Sequence, residues 1–292
     1  MKAFNLAVII PVYNGNSFVN RCVDSMIAQD ELSEIIFVDS GSTDGSYELL
    51  SELSKQDPRI QVLTNRDKKN SGVSAARNKG IQKATAEWVT FCDIDDFYMK
   101  DRFSSFAKAD NDEVDIYHTA VKSIYEDVDL KNSIQEITAC PSNFNSAKEM
   151  QNHLVSQKDE SISIISMIVR RSALLEVGLF DESLTVGEDT DLIWKLAGRY
   201  TFAYEDLDSP KVIRQVHHAN TYQDKEKKVK GRLAFYKKWR KSNLYTSVST
   251  SAQRRIREGY RHYRYVAGVE YDSPLNHSHQ MLRYLYSKVL RM

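Results

Sequence analysis

Alternation between two hydrophobic periods over the first hundred residues is the feature that most constrains the fold of this chain. Leu6–Val12 is a continuous apolar run, which is typical of a strand buried on both faces. The pattern then predicts helices over 17–29, 46–56 (with Thr43 or Asp44 as N-cap) and 72–84, and strands over 34–39, 59–63 and 88–92. This β-α-β-α order predicts a mostly parallel sheet with right-handed crossovers, flanked by helices.

The regular alternation stops after about residue 110. The pattern predicts one or two strands over 115–125, further strands over 161–169 and 211–216, and a helix over 188–199. Mainly helices are expected from residue 224 onward, and the region 126–146 is interpreted as a flexible acceptor loop. We therefore expect residues 1–110 and 111–224 to be two halves of one α/β domain, followed by a helical C-terminal extension over 225–292.

The net charge of zero hides a strong asymmetry. Residues 225–292 contain 17 Lys and Arg against 4 Asp and Glu, whereas the rest of the chain contains 23 and 36. A basic extension on an acidic body predicts a polyanionic partner. Aromatic residues among the lysines of 225–241 favour an anionic membrane surface or an anionic glycan, and a solvated helical face or a homo-oligomer contact is the alternative. No nucleic-acid-binding motif accompanies the charge, so a nucleic-acid partner is not expected.

Cysteine usage and the N-terminal segment bear on the compartment. Cys22, Cys92 and Cys140 are odd in number and widely spaced, which excludes a disulfide framework and a cysteine zinc site and favours a reducing compartment. The first apolar run is too short to span a bilayer, and it lacks the features of a signal peptide. We expect a cytoplasmic protein that can contact the inner face of the cytoplasmic membrane from its surface.

Acidic and small polar residues follow the predicted strands at 11–14, 39–44 and 93–96. Ligands of open α/β sheets bind at the carboxyl ends of the strands. Asp93 and Asp95 supply the oxygen ligands that hard divalent cations prefer, although acids beside a helix N-terminus would have the same pattern. The turn at 39–44 either presents backbone N–H groups to an anion or is an ordinary capped turn between a strand and a helix. Fingerprints of P-loop and Rossmann cofactor sites are absent from the sequence.

Two later segments are candidates for chemistry. Glu188, Asp189 and Asp191 precede an apolar helical stretch, where they complement the helix N-terminus or provide a general base. His217 and His218 follow a predicted strand. They are either surface side chains or metal ligands. Trp194 follows the acids of 188–191 in the apolar stretch and is interpreted as a core aromatic.

Taken together, these segments resemble the inverting family 2 glycosyltransferases with a GT-A fold. The motifs that carry the resemblance are V-I-I-P-V-Y-N (8–14), F-V-D-S-G-S-T-D-G-S (37–46), D-P-R-I (57–60), N-S-G-V-S-A-A-R-N-K-G-I (70–81), D-I-D-D (93–96), G-L-F-D-E (178–182) and G-E-D-T-D-L (187–192). The match is continuous over residues 6–110, patchy to about 220 and absent beyond. It implies that 1–110 bind a nucleotide-sugar and that 111–224 bind the acceptor.

The resemblance also implies a role for each matched residue. The nucleotide-sugar would contact Pro11, Tyr13, Asp39, Arg77 and Asp93. Asp95, with His217 as a weaker match to the family's later R-x-H segment, would hold Mn²⁺ or Mg²⁺. Asp189 would be the catalytic base, and Glu188 would contact the acceptor. The resemblance implies an acceptor-stacking role for a tryptophan one residue earlier than Trp194, which leaves that role as the alternative for Trp194.

The function expected from this resemblance is metal-dependent transfer of a sugar, with a UDP-sugar as the expected donor, to a hydroxyl of a surface-glycan precursor. The acceptor would be a glycan or a lipid-linked glycan of a capsule, lipopolysaccharide or exopolysaccharide. Two alternatives stay open on the sequence. One is a nucleotidyltransferase, which can share the acidic metal site, and the other is a non-catalytic glycan- or membrane-binding protein on the same fold.

Overall fold

The computed structural model describes residues 5–64, 72–108, 113–125, 135–138, 144, 146–156, 162–204, 209–217 and 225–268. Its strands are β1 (Leu6–Val12), β2 (Leu32–Asp39), β3 (Ile60–Thr64), β4 (Trp88–Phe91), β5 (Phe97–Tyr98), β6 (Ile116–His118), β7 (Val121–Tyr125), β8 (Gln135–Thr138), β9 (Met167–Arg170), β10 (Phe202–Tyr204) and β11 (Val212–Val216). Its helices are α1 (Asn16–Ile27), α2 (Ser46–Leu53), α3 (Gly72–Lys83), α4 (Ser104–Lys108), α5 (Ala147–Ser156), α6 (Arg171–Glu176), α7 (Glu188–Ala197), α8 (Lys225–Lys241), α9 (Leu244–Ser247) and α10 (Thr250–Val266).

The main sheet has the strand order β10-β6-β9-β4-β1-β2-β3. Strands β1 to β4 are mutually parallel, as the alternation predicts, and β1 is buried on both faces. Strand β9 runs antiparallel between β4 and β6 and joins the second half of the chain to the same sheet. The carboxyl ends of β1, β2 and β4 therefore meet at one edge of the sheet.

A second sheet, of order β5-β11-β7-β8, lies next to that edge. Strand β11 pairs antiparallel with β5 and parallel with β7. The backbone N–H of Gln215 in β11 donates to the Asp96 carboxylate at 2.9 Å. This pairing brings the residues that follow β11 to the loop that follows β4.

Several local expectations are corrected. The region 161–169 is not one strand, because Ile164–Ser166 form a 3-10 turn before β9. The region 115–125 forms two strands, as one of the two expectations allowed, and they belong to different sheets. The expected loop 126–146 is corrected, because β8 lies inside it. The N-cap of α2 is Gly45, with a φ of 88°, and Asp44 one residue earlier accepts from the backbone N–H of Ser46. Cys140, His218 and residues 269–292 lie outside the described residues.

The C-terminal helices pack against the α/β body. Phe235 and Trp239 of α8 are buried against Trp194 of α7, with ring centroids 5.1 and 5.0 Å apart. Trp194 is thus a core aromatic, which excludes the acceptor-stacking alternative. Helix α10 packs on α8 where Gly259 faces the Tyr236 ring. None of the described helices has the length and apolar character needed to cross a membrane.

Candidate active site

The turns that follow β1 and β2 form one side of the site. Asn14 has a φ of 52°, and its side chain accepts from the backbone N–H of Thr43 at 2.9 Å. The buried Asp39 carboxylate accepts from the backbone N–H groups of Gly41 and Ser42, so it fixes the shape of its own turn. Tyr13 is 48% exposed, which leaves its ring available to stack on a planar ligand. Pro11 lies in β1 beyond Ile9, the last residue that pairs with β4.

A single buried arginine joins two acidic segments of the chain. Arg77, on α3, donates from Nη2 to Asp93 Oδ1 at 2.8 Å and from Nη1 to Asp189 Oδ1 at 2.5 Å. The Arg77 side chain is 3% exposed, and both carboxylates are 36% exposed. The guanidinium also lies over the ring of Phe180, 5.3 Å from its centroid. The fork therefore fixes both carboxylates, which still face the cleft.

Neighbouring residues of α3 explain why it holds this place. The Asn78 side chain donates to the carbonyl of Phe180 at 3.0 Å and accepts from the backbone N–H of Phe180 at 3.0 Å. A Cβ on Gly80 would lie 2.4 Å from Ile9 Cγ2, so only glycine lets α3 approach β1 this closely. Helix α3 thus connects the sheet, the 178–182 segment and the start of α7.

The first two acids of α7, Glu188 and Asp189, have raised pKa values. Burial and the neighbouring Asp189 raise the pKa of Glu188 to about 7. Burial also raises the pKa of Asp189, and the positive charge of Arg77 limits that rise. Carboxyl groups held in this way are suited to proton transfer near neutral pH.

A second contact joins the loop after β4 to the end of β11. Asp95 Oδ2 lies 2.9 Å from His217 Nε2. The His217 ring stacks on Phe18 of α1 with centroids 5.1 Å apart, and Arg21 donates to the Asp95 carbonyl at 2.8 Å. The Arg21 side chain also donates to the Gln215 side chain. Helix α1 therefore orients both of the residues that the resemblance assigns to a metal.

These donors fit a divalent cation that a diphosphate helps to bind. Within the ranges that the structure describes, no group of three or more His, Cys, Asp or Glu side chains is arranged around one ion position. Mg²⁺ commonly binds through one or two carboxylates plus substrate phosphates and water, so Asp95 with His217 is a sufficient protein contribution. Burial and the nearby Asp93 raise the pKa of Asp95, and a cation bound there would favour the ionised carboxylate.

The structure brings the expected residues together in three contacting groups at the carboxyl edge of the main sheet. Asp93 links two of them, since it bonds Arg77 and acts electrostatically on Asp95. The turn at Tyr13 and Asp39 reaches the same loop, because a Cβ on Gly15 would lie 2.8 Å from the Ile94 side chain. Asp189 is connected to Asp93 through Arg77, and Asp95 is paired with His217.

Sequence reasoning did not find the residues that bind α7 on the side facing α8, away from Arg77. Asp191 is fully buried, and its Oδ1 accepts from Lys238 Nζ at 2.7 Å and from Trp239 Nε1 at 2.9 Å. The sequence indicates Asp191 only as one more acid in the first turn of a helix. Its partners are 47 and 48 residues away, a distance at which residue spacing carries no signal.

A model of the family "Glycosyl transferase family 2" matches residues 7–178. One relative is the Bacillus subtilis protein "Putative teichuronic acid biosynthesis glycosyltransferase TuaG", which is 25% identical over 70% of this chain and 88% of its own. In five other curated relatives the alignment spans only 14% to 38% of the relative's length.

Two solved structures share the fold. The Staphylococcus aureus TarS 1-349 structure in complex with UDP-GlcNAc has a TM-score of 0.64 at 17% identity, over 90% of this chain and 73% of that one. The mannosyltransferase PcManGT from Pyrobaculum calidifontis, in complex with GDP-Man and Mn²⁺, has a TM-score of 0.59 at 16% identity, over 98% and 80%. The expected α/β fold with a mostly parallel sheet and C-terminal helices is confirmed.

Proposed function

Because this chain belongs to glycosyl transferase family 2, we propose that it transfers a sugar from a UDP-sugar to a hydroxyl group of a surface-glycan precursor, with inversion at the anomeric carbon. The observation that carries the proposal is the Arg77 fork, which holds Asp93 of the donor-side loop and Asp189 of α7 in one cluster. A nucleotide-binding loop and a candidate base are thus within reach of one bound substrate pair.

The proposed reaction needs one base and a stabilised leaving group. Asp189 takes the proton from the acceptor hydroxyl as its oxygen attacks the anomeric carbon from the face opposite the diphosphate. Arg77 favours the ionised form of Asp189, which the base requires, and holds Oδ1 of that carboxylate in place. Glu188 lies beside Asp189 and binds the acceptor. The carboxylates also face the positive charge that develops on the sugar ring.

The nucleotide is assigned to the other side of the cleft. Tyr13 stacks on the base, and Asp39 and Pro11 shape the pocket that receives it. Asp95 and His217 would hold Mn²⁺ or Mg²⁺, and the ion, when bound, supplies positive charge to the leaving diphosphate. The Mn²⁺ in the PcManGT complex supports this assignment, and the UDP-GlcNAc in the TarS complex supports a UDP-sugar donor.

The acceptor is proposed from the relatives and from the charge of the extension. TuaG is named for teichuronic acid biosynthesis, which supports a cell-surface polymer. Residues 225–292 carry 17 basic and 4 acidic side chains, which suits a lipid-linked or anionic glycan held at the inner face of the cytoplasmic membrane.

A thermal-shift screen of nucleotide-sugars, with and without Mn²⁺, tests the donor and the metal together. A ligand that binds only the folded state raises the melting temperature. We expect UDP and a UDP-sugar to stabilise the protein more with Mn²⁺ than without it. Asp95→Asn should remove the Mn²⁺-dependent part alone, and Asp30→Asn, the same change at an exposed position, should leave it intact. Stabilisation by GDP-sugars but not by UDP-sugars would refute the donor assignment.

Asp189→Asn tests the base. The variant should turn over about 10²- to 10⁴-fold more slowly, the usual contribution of a positioned general base. Its affinity for UDP with Mn²⁺ should stay unchanged, since Asp189 acts on the acceptor. Wild-type turnover in a folded Asp189→Asn protein would return this carboxylate to a helix-terminus role.

A further inference from the structure

Helix α7 carries Glu188 and Asp189, and it is held on two opposite faces. Residues two positions apart on an α-helix point about 200° apart around its axis. Asp189 therefore faces α3, where Arg77 binds it, and Asp191 faces α8, where Lys238 and Trp239 bind it. The two bonded carboxylates together fix the rotation of α7 about its own axis.

The segment that leads into α7 is fastened by the same lysine. Lys238 Nζ lies 2.7 Å from Asp181 Oδ2 as well as 2.7 Å from Asp191 Oδ1. Although burial opposes it, the hydrogen bonds from Lys238 and Ser183 lower the pKa of Asp181 to about 2. One ammonium group thus bonds to both ends of the segment 181–191, and this segment contains Glu188 and Asp189.

The fit between α8 and this segment is close at Val186 and Gly187. Gly187 has a φ of 87°, and a Cβ there would lie 3.2 Å from the Phe235 ring. A Cβ on Gly231 would lie 2.6 Å from Val186 Cβ. Any shift of α8 is therefore passed directly to the turn that precedes Glu188.

From these contacts we propose that Lys238 and Trp239 are positioning residues for the transfer reaction: α8 holds the first turn of α7 in the rotation that directs Asp189 at the acceptor. The inference rests on the proposed function, because it takes Asp189 to be the base. It assigns to the C-terminal extension a part in the chemistry, beyond any part in partner binding.

The test uses the full chain and compares four variants. Trp239→Phe keeps an aromatic ring against Trp194 and removes the indole N–H. Lys238→Met keeps the aliphatic stem and removes the ammonium group, and Lys238→Arg is the conservative rescue. Lys241→Met removes an exposed charge from the same helix and is the matched control. Activity is followed as UDP released from UDP-GlcNAc, UDP-glucose or UDP-galactose in the presence of Mn²⁺, with water as the acceptor that takes the sugar and gives its proton to Asp189.

We expect kcat to fall about 10- to 100-fold in Lys238→Met and less in Trp239→Phe, because a displacement of about 1 Å can cost 10²-fold. The KM for the UDP-sugar and the affinity for UDP should change less than about two-fold, since the donor side is untouched. The acidic limb of the kcat–pH profile should move to higher pH, because a rotated Asp189 loses Arg77. Lys238→Arg should restore most of the activity, and Lys241→Met should match the wild type.

Hydrogen–deuterium exchange gives a readout that needs no substrate. Amides of 181–191 should exchange faster in Trp239→Phe and Lys238→Met, and those of β1 and β2 should not change. Unchanged exchange across 181–191 in both variants would overturn the inference. So would wild-type kcat and an unmoved pH profile, even with a lower melting temperature, because the contacts would then serve stability alone. If Lys238→Met does not fold, the exchange and the kcat of Trp239→Phe alone decide whether the inference stands.

Asp189→Asn distinguishes a failure of the positioning role from a failure of the proposed base. An inactive Asp189→Asn beside normal Lys238→Met and Trp239→Phe would refute only the positioning role. Normal turnover of Asp189→Asn would refute the proposed base, and with it the reason for holding α7 in this rotation.

Discussion

At the scale of single residues, Arg77 is the group on which the site depends most. Its guanidinium is almost wholly buried, yet both of its partners reach the cleft surface. A buried cation stays favourable only while it is paired and hydrogen-bonded, so Asp93 and Asp189 stabilise Arg77 as much as it orients them. Burial opposes the charged form of Arg77, and Asp189 and Asp93 raise its pKa despite that.

Arg77→Met should destabilise the protein by about 2–4 kcal/mol, somewhat below the loss for a fully buried pair because both carboxylates are partly exposed. Without Arg77 the pKa of Asp189 rises further, so the loss should be larger at pH 8 than at pH 5. Urea unfolding at the two pH values measures this. Adding Asp189→Asn to Arg77→Met should recover part of the stability, and a loss that does not depend on pH would contradict the electrostatic account.

Glu188 makes a second pH-dependent prediction. Its folded-state pKa of about 7 lies above its ordinary value of 4.5, so ionising it opposes folding. Its contribution to stability is complete below pH 4.5 and is lost as the pH rises through about 7. Glu188→Gln should therefore be more stable than the wild type at pH 8, by about 1–3 kcal/mol, and equal to it below pH 4.5. Unfolding curves of both proteins across this range provide the measurement, and a constant difference would rule the shift out.

At the scale of elements, α3 has to lie close to β1 for Arg77 to reach both carboxylates. A Cβ on Gly80 would meet Ile9 Cγ2 at 2.4 Å, Cγ1 at 3.2 Å and Cδ1 at 3.3 Å. All three atoms belong to one side chain, whose position in a fully buried strand leaves it little room to move. The glycine in the motif A-R-N-K-G therefore sets the distance between helix and sheet, three residues after the arginine that uses it.

Gly80→Ala should cost about 0.5–2 kcal/mol, since overpacking of about 1–3 kcal/mol is partly offset by the higher helix propensity of alanine. It should also lower turnover, because α3 carries Arg77 away from Asp189. Ile9→Ala in the same chain should make the two changes less than additive, since it removes all three clashing atoms. The difference between Gln82→Gly and Gln82→Ala, at an exposed position of α3, gives the contribution of helix propensity alone. Urea denaturation of the wild type, Gly80→Ala, Ile9→Ala and the double variant gives the coupling energy between the two positions. Strict additivity of the two single losses would refute the contact.

The sequence predicts elements where a periodic pattern decides them. Strands β1 to β4 and helices α1 to α3 follow from hydrophobic period, and their parallel order brings Asp39 and Asp93 to one edge. The antiparallel pairing of β9 could not be predicted, because a short apolar run does not indicate which strand it pairs with. Contacts between Arg77 and Asp189, 112 residues apart, depend on the finished fold. The family resemblance brings both residues into the candidate site, although residue spacing gives no sign of the contact.

At the scale of the whole molecule, the structure divides the basic extension into two kinds of charge. Lys238 is only partly exposed, and its ammonium group is bonded to the half-buried Asp181 and the buried Asp191. Lys227 and Lys237 are exposed, and Lys228 is half-buried. The part of α8 that can meet an anionic surface is therefore smaller than the sequence count indicates, and it is separable from the part that holds α7.

This separation makes the membrane contact testable without damage to the site. Changing Lys227, Lys228 and Lys237 to Gln should weaken co-sedimentation with phosphatidylglycerol-containing vesicles by about 3 kcal/mol, or on the order of 10²-fold, at about 1 kcal/mol for each cation. Binding of the parent should fall as salt rises, because the screening length is about 10 Å at 0.1 M. UDP release should persist in the variant, since the groups proposed to catalyse transfer all lie before residue 220.

The matched control carries the same change in charge on the α/β body, with the exposed Lys55, Lys83 and Lys100 changed to Gln. If vesicle binding reflects net charge alone, the two triple variants will lose it equally. If the exposed lysines of α8 form the contact, only the first will lose it, and vesicles of pure phosphatidylcholine will bind neither variant nor parent. Sedimentation velocity in the absence of lipid completes the comparison. A parent that is dimeric while the α8 variant is monomeric would assign these lysines to an interface between two copies of the chain, and the membrane contact would be refuted.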